Sequence, residues 1–430
     1  MTINRRRFIQ ALGAAGAVSS LPLGGCSIAG FRPSAGHVVV VGGGAGGATC
    51  AKYIRHLDPA IKVTVIEPKM EFATCFMSNW VIGGLRDQNW ITHGYADWSR
   101  KHGIDVVHDT AVSIDPVAKV VKTKGGQSIK YDRCVVSPGI DFRYDTIEGY
   151  DAAVAERVPH AWHAGPQTAL LRKQLEAMPD GGVFVLTAPP NPFRCPPGPY
   201  ERASLVANYF KTRKPRSKVL ILDAKDAFSK QGLFVAGWKT HYGYGTNSSM
   251  IEWRSKANDG TARAIKADSR TVVTDFGEVR ADVLNVVPAQ KAGHIAAIAG
   301  LTDASGWCPV DHLTWESKVH KGIHVIGDAA IQAPLPKSGY AANSVAKVCA
   351  AAIVAMLNGR TPAAPSWVNT CYSLVTPTHG ISVAGVYRHE GGKVTAVKGA
   401  GGLTPKDGHF SLEATYAESW YKNIIDDMFG

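Results

Sequence analysis

The chain has 430 residues, 45% of them hydrophobic and 19% charged, which excludes a disordered or fibrous protein and leaves room for two or three domains with cores of their own. The formal net charge is +12, but Lys and Arg are scattered over the whole length, and runs such as Lys211-Thr212-Arg213-Lys214 carry little aromatic interleaving. The excess is read as a solvated basic surface, and no nucleic-acid partner is expected.

In chain order, Arg5-Arg6-Arg7-Phe8-Ile9 precedes an apolar stretch of small residues from Ala11 to Gly25, too short for a bilayer span. Residues 1–35 are expected to be a twin-arginine export segment. Leu23-Gly24-Gly25-Cys26 resembles a lipoprotein processing site; cleavage further on, near Ala29 or Ala35, would discard Cys26 and is the preferred reading. No later segment is expected to cross a membrane.

Val38 to Val41 is a continuous apolar run, as expected for a strand buried on both faces. Gly42-x-Gly44-x-x-Gly47 follows, then a helical pattern from Ala48 to Leu57, a strand over Lys62–Ile66, and Glu67 twenty residues beyond Gly47. The spacing predicts a dinucleotide-binding βαβ unit. Gly42 makes the tight turn, Gly44 admits a pyrophosphate, Gly47 lets helix and strand pack closely, and Glu67 accepts from ribose hydroxyls. Further buried strands are expected at Arg133–Val136, ended by Ser137-Pro138-Gly139, and at Val183–Leu186, Val219–Leu222, Val283–Val287 and Ile323–Ile326. The last runs into Gly327-Asp328. An aspartate there can take a ribityl hydroxyl, which FAD has and NAD lacks; alternatively it caps a helix.

The strand beginning at Val183 is not followed by glycines. Pro189-Pro190-Asn191-Pro192-Phe193-Arg194-Cys195-Pro196-Pro197-Gly198-Pro199-Tyr200-Glu201 stands there instead. Prolines cannot donate backbone hydrogen bonds to a diphosphate, so a second nucleotide is not expected in this half. The prolines should present Cys195 in a rigid, extended segment. Glu201 is either a proton acceptor or tuning charge, or a helix-start acid or partner of Arg202. Taken alone, Cys195, Cys371 and Cys75 could each be a buried structural thiol. Without Cys26 seven cysteines remain, and Cys50, Cys134, Cys308 and Cys349 read as inert core thiols. No His-Glu-x-x-His and no Cys-x-x-Cys is present, so neither a metal site nor an attached c-type haem is expected.

The pattern predicts an α/β chain of two Rossmann-like doubly wound domains, like the glutathione-reductase flavoproteins, with a C-terminal α+β interface domain. Expected boundaries are 36–147 and 288–364 for an interrupted FAD domain, 148–287 for the second domain, and 365–430 for the tail.

From Val38 onward the chain resembles the flavoprotein subunit of flavocytochrome c sulfide dehydrogenase. The resemblance is carried by Gly42 to Gly47, Ala73-Thr74-Cys75-Phe76-Met77-Ser78-Asn79, Phe193 to Arg202, and Gly306-Trp307-Cys308-Pro309. Gly327-Asp328-Ala329, Lys337-Ser338-Gly339-Tyr340 and Asn369-Thr370-Cys371-Tyr372-Ser373 carry it further. It implies FAD, bonded covalently through Cys75, and sulfide oxidation at a redox disulfide of Cys195 and Cys371, with Cys371 nearer the flavin. It also implies a periplasmic setting and a c-type cytochrome partner. A sulfide:quinone oxidoreductase is the alternative; an NAD(P)H-dependent reductase or a non-enzymatic flavin scaffold fits the residues less well.

Overall fold

The computed structural model describes residues 35–430; the expected export segment up to residue 34, with Arg5–Arg7 and Cys26, lies outside the described residues. Strand β1 (His37–Val41), helix α1 (Ala45–Leu57) and strand β2 (Lys62–Ile66) form the expected βαβ unit. A short helix α2 (Ser78–Ile82), strand β3 (Ile104–Val107) and strand β4 (Arg133–Val136) follow. The second domain contains β5 (Val183–Ala188), α3 (Gly198–Arg213), β6 (Lys218–Asp223), α4 (Gln231–Tyr242), β7 (Ile251–Arg254) and β8 (Val283–Val286). The chain then returns to the first domain with β9 (Ile323–Val325) and α5 (Gly339–Leu357). It ends in β10 (Ser366–Thr376), β11 (His379–Glu390), β12 (Lys393–Leu403) and α6 (Phe410–Phe429).

Two parallel sheets result, in the orders β9-β4-β1-β2-β3 and β7-β6-β5-β8. Val38, Val39 and Val40 are fully buried because layers cover both faces of β1, which is why the strand reads as unbroken valine rather than as an alternation. Ile140–Phe142 pairs antiparallel with Gln290–Ala292 where the chain leaves and re-enters the first domain. The tail is a three-stranded antiparallel sheet with α6 against β11.

The chain is thus the expected α/β protein with two doubly wound halves. Helix α1 starts at Ala45, three residues earlier than the apolar pattern indicated, because Gly46 and Gly47 are helical residues packed on the sheet. Helix α5 is long and apolar enough to cross a membrane by length and composition alone, with a mean hydropathy of 1.6 over an 18-residue window. Its length and composition come from its place in the core. Ala341, Val345, Ala346, Cys349, Ala350 and Ile353 are buried, and Asn343 donates to Thr49 Oγ1 of α1 at 3.0 Å. Cys50, Cys134, Cys308 and Cys349 are all buried.

Candidate active site

The glycines of the first turn shape a cavity of about 390 Å³. Gly42 has φ +99°, and a Cβ there would lie 2.4 Å from the Ser137 carbonyl oxygen. A Cβ on Gly47 would lie 1.8 Å from the Gly42 carbonyl oxygen, so helix α1 can approach β1 only with glycine at this position. Glu67, just past β2, accepts from the Gly43 amide at 2.9 Å and the Lys69 amide at 3.1 Å. Gly42, Gly44, Glu67, Cys75, Gly139 and Asp328 all line this one cavity, and Gly139 turns at φ +67°. Gly47 stands behind it as the packing residue.

Asp328 caps no helix; Ser338 is the N-cap of α5, accepting from the Ala341 amide at 3.1 Å. The Asp328 carboxyl is buried, with Oδ1 unpartnered and Oδ2 3.9 Å from Arg194 Nη1. Burial raises its pKa, against the pull of Arg194 and Lys337. An orphaned acceptor in a cavity edged by glycines fits the hydroxyl-rich chain of a flavin dinucleotide, because the alternative is an unpaid desolvation. Lys337 supports the turn from behind. Its Nζ donates to the Asp328 carbonyl at 2.7 Å and the Ala330 carbonyl at 2.8 Å, and lies 3.8 Å from the centre of the Trp307 ring. Burial lowers its pKa to about 8.

Cys195 is not extended. Its φ is +57°, a left-handed conformation that side-chain-bearing residues rarely adopt. The flanking prolines do not set this conformation alone. The Cys195 amide donates to the Lys337 carbonyl at 2.8 Å, and its carbonyl accepts from the Gly198 amide at 2.8 Å, closing the turn that opens α3. A Cβ on Gly198 would sit 3.1 Å from Cys195 Sγ, so this glycine leaves room for the sulfur.

Glu201 is in the first turn of α3 and is buried. Its Oε2 accepts from Asn79 Nδ2 of α2 at 2.9 Å, and its Oε1 from the Leu374 amide of β10 at 3.0 Å. It is therefore a helix-start acid, as one reading held, but not the hydrogen-bonding partner of Arg202. Arg202 donates instead to Asn79 Oδ1, Asn285 Oδ1 and the His160 and Ala161 carbonyls. Burial raises the Glu201 pKa, and the Asn79 and Leu374 bonds oppose the rise.

Cys195 and Cys371, distant along the chain, share one electrostatic neighbourhood, and neither is in a disulfide in this structure. Burial pushes the Cys195 thiol well up, and Cys371, Glu201 and Cys75 push it further. Burial also raises Cys371, but there Lys230 pulls the pKa down, ahead of the opposing Glu201. Burial raises Cys75 too, while Arg194 lowers it. Cys195 therefore shares its electrostatic surroundings with Cys371, Glu201 and Cys75, and of these Cys75 lines the glycine-edged cavity.

Three participants were not expected from sequence. Arg194 lines the cavity and donates through Nη2 to the Trp162 carbonyl. Asn79 joins Glu201 to Arg202, although its segment had been noted only for its resemblance. Lys230, just before α4, is buried and donates to Ser373 Oγ at 2.8 Å and to the Cys371 carbonyl at 3.0 Å. An isolated lysine in Ser229-Lys230-Gln231 carries no local signal of this. Among the described residues, no three His, Cys, Asp or Glu side chains gather as a metal ion would need.

The family model for the central part of the sulfide dehydrogenase [flavocytochrome c] flavoprotein chain matches residues 168–288, and the flavocytochrome c sulphide dehydrogenase flavin-binding model matches 363–429. The pyridine nucleotide-disulphide oxidoreductase model matches residues 36–172. The mitochondrial sulfide:quinone oxidoreductase of Dictyostelium discoideum is 24% identical over 323 residues, 72% of this chain and 69% of that one. A sulfide dehydrogenase flavoprotein chain from Chlorobaculum thiosulfatiphilum is 66% identical over 44 residues, 10% of this chain and 92% of that sequence. The sulfide:quinone oxidoreductase structure from Aquifex aeolicus superposes with a TM-score of 0.72 at 19% identity, covering 91% of this chain and 92% of that one, which establishes the shared fold.

Proposed function

We propose that this chain, which is similar to sulfide:quinone oxidoreductases and to flavocytochrome c sulfide dehydrogenase flavoprotein chains, oxidises hydrosulfide at the Cys195–Cys371 pair and delivers the electrons to a c-type cytochrome subunit in the periplasm. The observation that carries the reading is that Cys371, Glu201 and Cys75 all act on Cys195, that Glu201 is bonded to the strand carrying Cys371, and that Cys75 lines the cavity with Gly42, Glu67 and Asp328. Gly42, Glu67 and Asp328 would hold FAD there, and the bound flavin would supply an acceptor for an electron pair that can be passed on one electron at a time. We also propose that Cys75, on the cavity wall, carries it covalently.

The protein's own groups divide the work. With the pair oxidised, hydrosulfide attacks one sulfur; the Cys195–Cys371 bond breaks and a new S–S bond forms to the incoming sulfur. The electron pair committed to the new bond is matched by the pair the departing cysteine keeps as a thiolate. Glu201 tunes this step, because its charge faces both sulfurs and disfavours the thiolate of each. The proline-rich turn leaves no row of backbone donors for a nicotinamide dinucleotide near the sulfurs.

The cytochrome acceptor is supported by the two flavocytochrome family models and by the Chlorobaculum segment. The quinone alternative has a specific support of its own, the likeness to sulfide:quinone oxidoreductases over most of the chain. Steady-state assays of the FAD-loaded protein with sulfide decide between them. Reduction of a c-type cytochrome, lost in Cys195→Ser and Cys371→Ser, supports the proposal; turnover with decyl-ubiquinone and none with cytochrome c overturns the acceptor.

A further inference from the structure

Lys230 has three acceptors around its Nζ: Ser373 Oγ at 2.8 Å, the Cys371 carbonyl at 3.0 Å and the Ile381 carbonyl at 3.5 Å. Three acceptors match the three N–H donors of an ammonium group, whereas a neutral amine offers two. The side chain is buried against β10 and β11, and Phe234 of α4 lies 5.9 Å from the ammonium at its ring centre. A charge held this far from water needs a counter-charge or it shifts its protonation. The groups acting on it are the Cys371 sulfur, then Glu201, then Cys195, with Glu413 of α6 weaker still.

The two cysteines do not see this charge equally. Around Cys371 the facing groups are Lys230 and Glu201, and Lys230 is the stronger. Around Cys195 they are Cys371, Glu201 and Cys75, all of which disfavour a thiolate, with Lys230 the weakest of the set. Arg194 and Asp328 complete the local charges, and both act on Cys75.

We propose that Lys230 is a positioning residue that makes Cys371, and not Cys195, the thiolate of the pair. The inference rests on reading Cys195 and Cys371 as the reactive sulfurs. It fixes the direction in which their disulfide opens, because the better leaving group is the sulfur whose thiolate is better stabilised. Hydrosulfide therefore bonds to Cys195, the Cys195–Cys371 bond breaks, and Cys371 departs with the electron pair and the negative charge that hydrosulfide brought in. The incoming sulfur, now the outer atom of a persulfide on Cys195, keeps its proton at this stage. Lys230 neither gains nor loses a proton; it balances the charge that arrives on Cys371. Ser373, sharing the ammonium with the Cys371 carbonyl, keeps Nζ at β10.

The test uses the reduced, FAD-loaded protein and no sulfide, so its failure is separable from failure of the sulfide reading. Iodoacetamide labelling of each cysteine is followed by peptide mass spectrometry across pH. In the wild-type chain the labelling midpoint of Cys371 is expected below that of Cys195. Lys230→Met is expected to slow Cys371 labelling at pH 7 by about tenfold or more, the loss of one nearby opposite charge, while leaving Cys195 less affected. Lys230→Arg is expected to restore the wild-type midpoint, which a purely structural role would not require. An unmoved Cys371 midpoint in Lys230→Met overturns the proposal. If that variant does not fold, coincident or reversed midpoints in the wild-type chain overturn it equally.

Discussion

Glu201 Oε1 accepts a hydrogen bond from the Leu374 amide at 3.0 Å, and this contact joins the helix that begins three residues after Cys195 to the strand that carries Cys371. Its other oxygen holds Asn79, so one carboxylate stitches α2, α3 and β10 together beside the sulfurs.

Replacing Glu201 separates its two roles. Glu201→Ala leaves the Leu374 amide and Asn79 amide nitrogen without their acceptor, a loss of about 1–3 kcal/mol for each buried group, readable as a fall in urea midpoint. Glu201→Gln removes the negative charge that raises both thiols, so labelling of Cys195 and Cys371 is expected to move to lower pH. A shift to higher pH, or none, contradicts the electrostatic role.

Gly198→Ala places a methyl group 2.9 Å from the Trp162 ring and 3.1 Å from Cys195 Sγ. Overpacking of this kind costs about 1–3 kcal/mol. The larger consequence is displacement of the sulfur, so flavin bleaching by sulfide in a stopped-flow trace is expected to slow at least about tenfold, as sub-ångström misplacement of reacting groups does. Retained bleaching rates with a lowered Tm would show that the sulfur tolerates the shift.

Cys75→Ser should leave a cavity that still binds FAD through Gly42, Glu67 and Asp328, but acid precipitation is then expected to release the flavin into the supernatant. The wild-type chain should retain it on the Cys75 peptide, with a flavin-sized mass increment. Release from both proteins would remove the covalent bond from the proposal.

His160 is buried, with Arg202 and Arg194 among its charged neighbours, and burial lowers its pKa to about 3. It is neutral in the folded chain while the unfolded chain protonates it near 6.5, so the unfolded state binds more protons between those values. Its contribution to stability is fully present above about pH 6.5 and falls as pH drops towards 3. Glu201 and Asp328, raised by burial, oppose this at the acid end. Urea midpoints at pH 7 and pH 4.5 should therefore differ less in His160→Gln than in the wild-type chain.

The strands were legible because β1, β4, β5 and β6 lie inside parallel sheets, where burial on both faces leaves an unbroken apolar signature. The first turn was legible because its glycines and Glu67 answer to a backbone geometry that few other residues satisfy. The start of α1 was misplaced because Gly46 and Gly47, weak helix formers, are kept helical by packing on the sheet. The shape at Cys195 was not legible: local proline chemistry points to extension, and a hydrogen bond to Lys337, 142 residues later, helps fix the turn. Lys230 was invisible for the same reason, since its partners stand 141 to 151 residues away on β10 and β11. Asp328 kept two readings until the N-cap of α5 proved to be Ser338.

The proline-filled turn bears on protein engineering. Arg194 and Cys195 spend their amides on Gln290 and Lys337, and the Pro189 carbonyl is taken by Lys225 Nζ. A designer wishing to convert this scaffold into an NADH-consuming biocatalyst could not do so by point substitution. The whole loop from Pro189 to Pro199 would have to be exchanged, and with it the sulfur that makes the scaffold worth having.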